Sequence, residues 1–294
     1  MAALLVADGI VVGRGWTQAG GRPHAEAMAL AQAGEQARGA TLYVTLEPCA
    51  HRSTRGPACA DLVVAAGVAR VVVGVTDPDG RTAGRGKARL RAAGIVAEGA
   101  GDARCAGSLA GYLAQAAFGR PHVTLKLATS LDGCIALADG TSRWITGPAA
   151  RAHAHRERAR ADAILVGGGT LRADAPALDV RLPGLENRAP DRLVLTGGPV
   201  PDGWTALPDL QAIHDLPHVQ YLFVEGGAEA AAAFLRADLV DRLLLYRAPV
   251  LLGGGKPALA DLQLSGLWQA HDRWALTDRR SFAPDTLEIF TRTR

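Results

Sequence analysis

The sequence predicts an α/β protein of two domains, and three observations predict it. The chain has 294 residues, which at roughly 150 residues per domain makes about two domains. Apolar residues are 48% and charged residues 21%, enough apolar surface for two ordinary cores and against disorder. Strand-like and helix-like segments alternate along the chain, the pattern of layered folds with largely parallel sheets.

The elements follow in order. Residues 3–7 and 10–16 are short apolar runs around Asp8-Gly9, a hairpin signal. Residues 25–37 have helical period and propensity. Residues 41–47 read as a strand, 58–67 as a helix, 70–76 as a strand and 86–93 as a helix. A helix over 102–118 ends at Gly119-Arg120-Pro121, which places the domain boundary between 118 and 119. The second half restarts with a strand at 122–129. A helix at 149–160 leads into a buried strand at 162–166 and then Gly167-Gly168-Gly169. Strands at 192–196 and 219–225 precede an Ala-rich helix at 228–237. Residues 241–252 read as a strand pair or one bent strand, and 285–293 alternates like an edge strand.

Charge excludes some functions. The net charge is +3, too balanced for a protein that coats DNA. Residues 1–120 hold 13 basic and 9 acidic residues, whereas 121–294 hold 19 and 20. Residues 52–91 hold eight basic and three acidic residues, which reads either as a solvated face or as a pocket for an anionic substrate. Of the basic residues 29 are Arg, so a single Arg says little, and the three Lys (Lys87, Lys126, Lys256) stand out. Four cysteines in this length are no disulfide scaffold. No apolar run approaches the ~18 residues that span a bilayer, and the first residues do not resemble a signal peptide. The chain is expected to be cytoplasmic and soluble, with thiols free to bind metal.

A metal constellation lies in the first half. His24-Ala25-Glu26 opens the first helix, Cys49 follows a strand end, and Cys59 starts the next helix. One imidazole and two thiolates leave the fourth tetrahedral position of Zn²⁺ open for water, which then ionises near neutral pH. Glu26 is placed to take a proton from that water and return it to a leaving amine. Singly these residues are an ordinary helix-start His, a surface Glu and two buried thiols; their order and placement argue for a site. His51 is an alternative fourth ligand. His-x-Glu with Pro-Cys-x-x-Cys is a signature of zinc nucleobase deaminases, but nine residues separate the two cysteines here.

With Thr45-Leu46-Glu47-Pro48-Cys49-Ala50-His51 and Asp77-Pro78-Asp79, this segment resembles the deaminase half of the bifunctional riboflavin-biosynthesis deaminase–reductase family. The loop 51–59 is one residue longer than the family's usual His-x-Gly-Arg-Thr-Pro-Pro-Cys, and Asp77 to Gly80 replaces Asp-Pro-Asn-Pro. The family's first helix and Pro-Asn-Pro segment have no counterpart, and the chain is expected to start in the strand after them. The resemblance implies a cytidine-deaminase-like three-layer domain with His51, Arg55, Asp77 and Asp79 around the pyrimidine and ribose phosphate; Asp77 to Gly80 also reads as a plain turn.

In the second half, Lys126 lies in an apolar strand, where a Lys is either solvent-facing or a paired group with a useful pKa. Gly167-Gly168-Gly169 and Val224-Glu225-Gly226-Gly227 sit at strand ends, where bare N–H groups can approach phosphates; each is equally a tight turn. Gly253 to Pro257 is no phosphate loop, because Ser or Thr does not follow the Lys. Lys126, Ser130 to Gly133, Ser142 to Thr146, Gly169-Thr170, Asp174, Pro176, Leu178, Arg181 and Val224 to Gly227 are similar to the family's reductase half. That resemblance implies a dihydrofolate-reductase-like fold and NADPH. By it Ala128, Trp144, Thr170, Asp174, Gly227, Ala228, Glu229, Ala230, Ala231, Ala232 and Ala233 contact the cofactor. Ser142, Arg158, Leu178, Arg181 and Glu225 contact substrate, with Arg158 and Arg181 able to hold a sugar phosphate. Lys126 and Glu225 are the candidates for proton handling.

The expected activity is zinc-dependent deamination of a phosphoribosylated diaminopyrimidinone by residues 1–118. NADPH reduction of the ribosyl chain by 119–294 follows it. The expected partner is that small molecule, without nucleic acid or membrane, in a homo-oligomer as the family implies. Rival readings are a reductase with an incomplete deaminase domain, a zinc-stapled nucleotide sensor, and a nucleic-acid deaminase, which the −1 second half opposes.

Overall fold

Asp8 and Gly9 both have positive φ (48° and 78°), the backbone of a two-residue hairpin turn. They join β1 (Ala2–Ala7) to β2 (Ile10–Trp16) in the computed structural model, which describes residues 1–294. The chain divides into two compact units, Met1–Phe118 and Gly119–Arg294.

The first unit is built on a five-stranded sheet. After the hairpin come α1 (Ala25–Ala33), β3 (Thr41–Leu46), α2 (Cys59–Ala65), β4 (Arg70–Val75), α3 (Arg85–Ala92) and β5 (Val96–Gly99). The helix expected over 102–118 is two helices, α4 (Ala103–Ser108) and α5 (Ala110–Phe118), the first capped by the Asp102 carboxylate on the N–H groups of Arg104 and Cys105. The strand order is β2-β1-β3-β4-β5; β1 is antiparallel to β2 and β3, and β3, β4 and β5 are parallel. Ala3, Leu5, Leu42, Val44, Val71 and Val73 pack in one core with Ala25, Ala29, Ala33, Val63 and Leu90. The helix α1 lies very close to β2. A methyl group on Gly15 would stand 2.0 Å from the Ala25 carbonyl oxygen, so only glycine fits there.

The second unit holds β6 (His122–Thr129), β7 (Cys134–Ala136), α6 (Pro148–Arg158), β8 (Ala163–Gly167), α7 (Gly168–Asp174), β9 (Asp191–Leu195), β10 (Trp204–Leu207) and β11 (Tyr221–Val224). It continues with α8 (Ala228–Arg236), β12 (Arg242–Arg247), β13 (Lys256–Pro257), β14 (Trp274–Phe282) and β15 (Asp285–Arg292). The eight-stranded sheet runs β10-β9-β8-β11-β6-β12-β15-β14, parallel as far as β12 and antiparallel beyond it. One face packs Ile164, Val166, Phe223, Leu244 and Tyr246 with Ala150 and Ala154 of α6. The other packs Val123, Leu125, Leu165, Leu222 and Val224 with Ala231 and Phe234 of α8.

Two expectations are corrected. The strand β15 is internal, and the edge is β14, which alternation misses because most of its side chains face solvent. Residues 241–252 supply one strand only: after Arg247 the chain leaves the sheet, and the N–H groups of Leu252 and Gly253 bind the Asp132 carboxylate instead.

Candidate active sites

In the first unit, β3 and β4 are parallel neighbours, so the residues just past their carboxyl ends lie side by side. These are Glu47 to Cys49 and Asp77. Glu47 is buried. Its carboxylate accepts from the N–H groups of Lys87 (2.9 Å), Gly84 (3.0 Å) and Asp77 (3.4 Å). It thereby ties the start of α3 and the 77–84 loop to the strand that delivers Cys49.

His24 is the N-cap residue of α1 but makes no capping bond with its side chain. Its Nδ1 lies 3.3 Å from Cys59 Sγ and 3.6 Å from Cys49 Sγ. Tetrahedral zinc spaces such ligand atoms roughly 3.5–3.8 Å apart, so the three donors fit the ion. All three ligand atoms lie within 4.8 Å of one another, and His51 is outside the group, bonded to Thr82 Oγ1 at 3.4 Å. The Cys59 N–H, at the start of α2, donates to Cys49 Sγ at 3.2 Å. The thiol hydrogen bond from Cys59 and its other donors push Cys49 down to about 3, against burial, and Cys59 is pushed up in return. A positive helix start and an imidazole are the usual means of stabilising a thiolate. Glu26, in the first turn of α1, is 6% exposed, and burial raises its pKa.

His24, Cys49 and Glu26 line one cleft of ≈ 310 Å³, together with His51, Arg55, Asp77 and Asp79. Of the eight side chains assigned to this half from the sequence, seven line the cleft, and the eighth, Cys59, lies behind them 3.3 Å from His24 Nδ1. The cleft adds Arg22, Arg81 and Tyr112, which the sequence reading missed. Tyr112 donates to Asp77 Oδ1 at 2.6 Å, and burial with the Asp77 charge keeps it protonated. Arg81 grips Asp79 in two-pronged fashion and holds its carboxyl down to about 2. Arg55 donates to the Gly20 carbonyl at 2.5 Å and Arg22 to that of Pro57 at 3.2 Å. Arg22 and Arg81 were hidden in the Arg excess. Tyr112 comes from a helix with no motif to mark it.

In the second unit, Val224 of β11 pairs with Leu125 of β6, so Glu225 falls beside Lys126. Lys126 Nζ lies 3.5 Å from Glu225 Oε2, and their side chains are 20% and 10% exposed. Arg158, from the last turn of α6, donates to both Glu225 oxygens at 2.6 and 3.0 Å and to the Asp179 carbonyl at 3.0 Å. Two expectations change here. Arg158 spends its fork on Glu225, so its place is to hold that carboxylate and the 178–181 segment rather than to grip a phosphate. Glu225 is not a proton donor at neutral pH: burial alone would raise its pKa, but Lys126 and Arg158 hold it down to about 2.

The 178–181 segment is fastened to α6 a second time by His155 Nδ1, which either donates to the Asp179 carbonyl at 3.1 Å or accepts the Arg181 N–H at 3.3 Å. This segment carries Leu178, buried at φ 52°, and Arg181, exposed beside Asp179, and Arg158 links it to Glu225 through the Asp179 carbonyl. Thr170 Oγ1 accepts the Gly227 N–H at 3.1 Å, which joins the ends of β8 and β11. Ala228 and Glu229 start α8 there. Ala230, Ala231 and Ala232, by contrast, are buried, with Ala231 in the core, so of the first turn of α8 only the Ala228 and Glu229 side chains can face a ligand; Ala233, the sixth residue of the helix, is half-buried. Ala128 shares the Lys126 face of β6. Trp144 is exposed beneath the Arg151 guanidinium at 4.7 Å, Ser142 is half-buried nearby in the chain, and Asp174 is exposed with its carbonyl bound by Arg143.

The comparisons with known proteins agree with this division of chemistry. Residues 1–75 match the cytidine and deoxycytidylate deaminase zinc-binding region, and residues 121–201 and 206–287 match the RibD C-terminal domain. The riboflavin biosynthesis protein RibD of Mycobacterium tuberculosis is 41% identical over 97% of this chain and 88% of its own, and that of Escherichia coli is 39% identical over 88% and 84%. Acinetobacter baumannii RibD superposes with a TM-score of 0.85 at 35% identity, over 100% of this chain and 92% of that one. A Thermotoga maritima diaminohydroxyphosphoribosylaminopyrimidine deaminase/5-amino-6-(5-phosphoribosylamino)uracil reductase superposes at 0.84 with 27% identity, over 99% and 91%. With a zinc-type donor set in one unit, an ion-paired Lys–Glu–Arg cluster in the other and relatives along nearly its whole length, the chain belongs to the RibD family of bifunctional riboflavin biosynthesis proteins.

Proposed function

We propose that residues 1–118 remove the exocyclic amine of a phosphoribosylated diaminopyrimidinone. In this reading residues 119–294 then reduce the ribosyl chain of the resulting uracil. The observation that carries the proposal is the grouping of His24, Cys49 and Cys59 ligand atoms within 4.8 Å of one another at a cleft lined by the buried Glu26. His24, Cys49 and Cys59 would hold zinc, which supplies Lewis acidity. Glu26 takes a proton from the attacking water and returns it to the exocyclic nitrogen, which leaves as ammonia. Its raised pKa suits it to hold the proton between the two transfers. Asp77, fixed by Tyr112, and His51 face the pyrimidine, and the Arg22 and Arg55 guanidiniums serve the phosphate.

In the second unit, Gly227, Ala228, Thr170, Trp144 and Asp174 would hold NADPH, which supplies the reducing equivalent. Lys126 is placed to deliver the proton that opening of the sugar ring requires. Glu225 and Arg158 fix its position, and Arg181 reaches the substrate phosphate. The partner is the small-molecule substrate alone. No helix is long and apolar enough to cross a membrane. Four free thiols support a cytoplasmic location, and a homo-oligomer follows from the family, to be read by light scattering.

Glu26→Gln tests the first reaction. It should keep its zinc, measured per chain by elemental analysis, and lose about 10²- to 10⁴-fold in deamination rate. Full activity in a zinc-loaded Glu26→Gln protein would refute the role.

A further inference from the structure

Asp79 stands where the family's Asp-Pro-Asn-Pro has a neutral amide, so the cleft of the first unit carries a second carboxylate beside Asp77. A bare carboxylate there would repel a phosphorylated substrate. Arg81 meets it from the same cleft. Arg81 Nε donates to both Asp79 oxygens at 3.0 Å, and Nη2 donates to Oδ2 at 2.5 Å. The Arg81 backbone N–H adds a bond to Oδ1 at 2.8 Å. Each oxygen thus takes two donors, which occupies the roughly four lone-pair sites of the carboxylate and leaves Asp79 little to offer a ribose hydroxyl. The guanidinium is not filled. Of its five N–H groups, the Nε–H and one on Nη2 face Asp79, so three remain. The Arg81 side chain is 68% exposed against 23% for Asp79, which puts the free groups on the open side of the pair. The other two arginines of the cleft differ: Arg22 gives a donor to the Pro57 carbonyl and Arg55 one to that of Gly20, so both also hold loops together.

We propose that Arg81 is a further substrate-binding residue of the first unit, anchored by Asp79 and taking the substrate's phosphate on its outer N–H groups. The proposal rests on the deaminase reading above. The free edge of a guanidinium meets two phosphate oxygens in parallel charge-assisted hydrogen bonds. An arginine already held by a carboxylate loses less side-chain freedom on binding than a loose one. Asp79 then acts through Arg81 as a positioning residue, and the pair gives the cleft a cation where either residue alone would give it a misplaced charge.

Steady-state deamination by the full-length zinc-loaded protein tests it. The phosphoribosylated diaminopyrimidinone is the substrate, and its dephosphorylated form is the competing ligand, which need not turn over. The readout is the ratio of the competitor's inhibition constant to the substrate's KM, which reports what the phosphate adds to binding. Arg81→Gln should lower that ratio about tenfold by raising KM, with kcat within about twofold and zinc per chain unchanged. The double variant Asp79→Asn with Arg81→Gln should stay as low, because removing the carboxylate does not return the phosphate's partner. An Arg81→Gln protein that keeps the wild-type ratio, whatever its overall loss, overturns the proposal. So does a double variant that recovers the ratio, since Arg81 would then be no more than a counter-ion for Asp79. A wild type that does not deaminate the substrate sinks the deaminase reading itself.

Discussion

At the scale of one residue, Glu225 shows how a charge in the reductase unit is kept where it is needed. Its carboxylate is 10% exposed and meets two cations, Lys126 and Arg158. Burial favours the neutral acid, yet the two cations win and the pKa falls to about 2. A depressed carboxyl pKa contributes stability that is fully present above the unfolded value near 4.5 and is lost as pH falls toward 2. Glu225→Gln leaves two cations facing each other without their anion. It should cost about 3 kcal/mol at pH 7 in denaturant melts, and the gap to wild type should close between pH 4.5 and 2. A gap that stays constant over that range would place the lost stability elsewhere. The same residue shows what the sequence could carry. Glu225 at a strand end and Lys126 in an apolar strand both stand out by type and position. Their pairing, and the use of Arg158 on Glu225, depend on β11 lying between β8 and β6, and adjacency of strands is not written in local pattern.

At the scale of elements, the metal centre depends on where α1 lies on the sheet. His24 and Glu26 occupy its first turn, and the helix rests so closely on β2 that side chains are excluded at Gly13 and Gly15. Gly15→Ala would push its methyl into the Ala25 carbonyl, one residue from each of the two functional side chains. The variant should lose about 1 to 3 kcal/mol from overpacking and hold less than one zinc per chain, measured by thermal melt and metal analysis. Gly107→Ala on α4 is the control: nothing lies within 4 Å of its β-carbon, so zinc content should not move. The hairpin, α1, β3, α2 and β4 were legible because period, turn residues and caps agree there with the final fold. β5 and β14 were not. Val96 to Gly99 is four residues long, and β14 presents few buried side chains, so neither carries a hydrophobic period. The three zinc ligands and Glu26 were legible from order and spacing. Glu47 was visible in its motif, but its work on the N–H groups of α3 and Asp77 exists only once β3 and β4 are paired.

At the scale of the whole chain, the two units are built on separate hydrophobic cores. Ala3 to Ala97 pack in the first, and the cores of the second begin at Val123. The donor atoms for zinc all belong to the first unit, and the Lys126–Glu225–Arg158 cluster belongs to the second. Zinc stabilises whatever it binds by mass action, about 4 kcal/mol at a thousand times its dissociation constant, and it has nothing to hold in residues 119–294. Calorimetry of the zinc-loaded chain should therefore show two transitions. Chelation should lower one of them by several degrees, abolish deamination, and leave NADPH-dependent reduction of the already deaminated substrate at its original rate. Returning zinc should restore the first transition and the first activity together. A single transition that shifts as a whole on chelation, or a reductase rate that falls with the metal, would show that the two reactions do not rest on independently stable units.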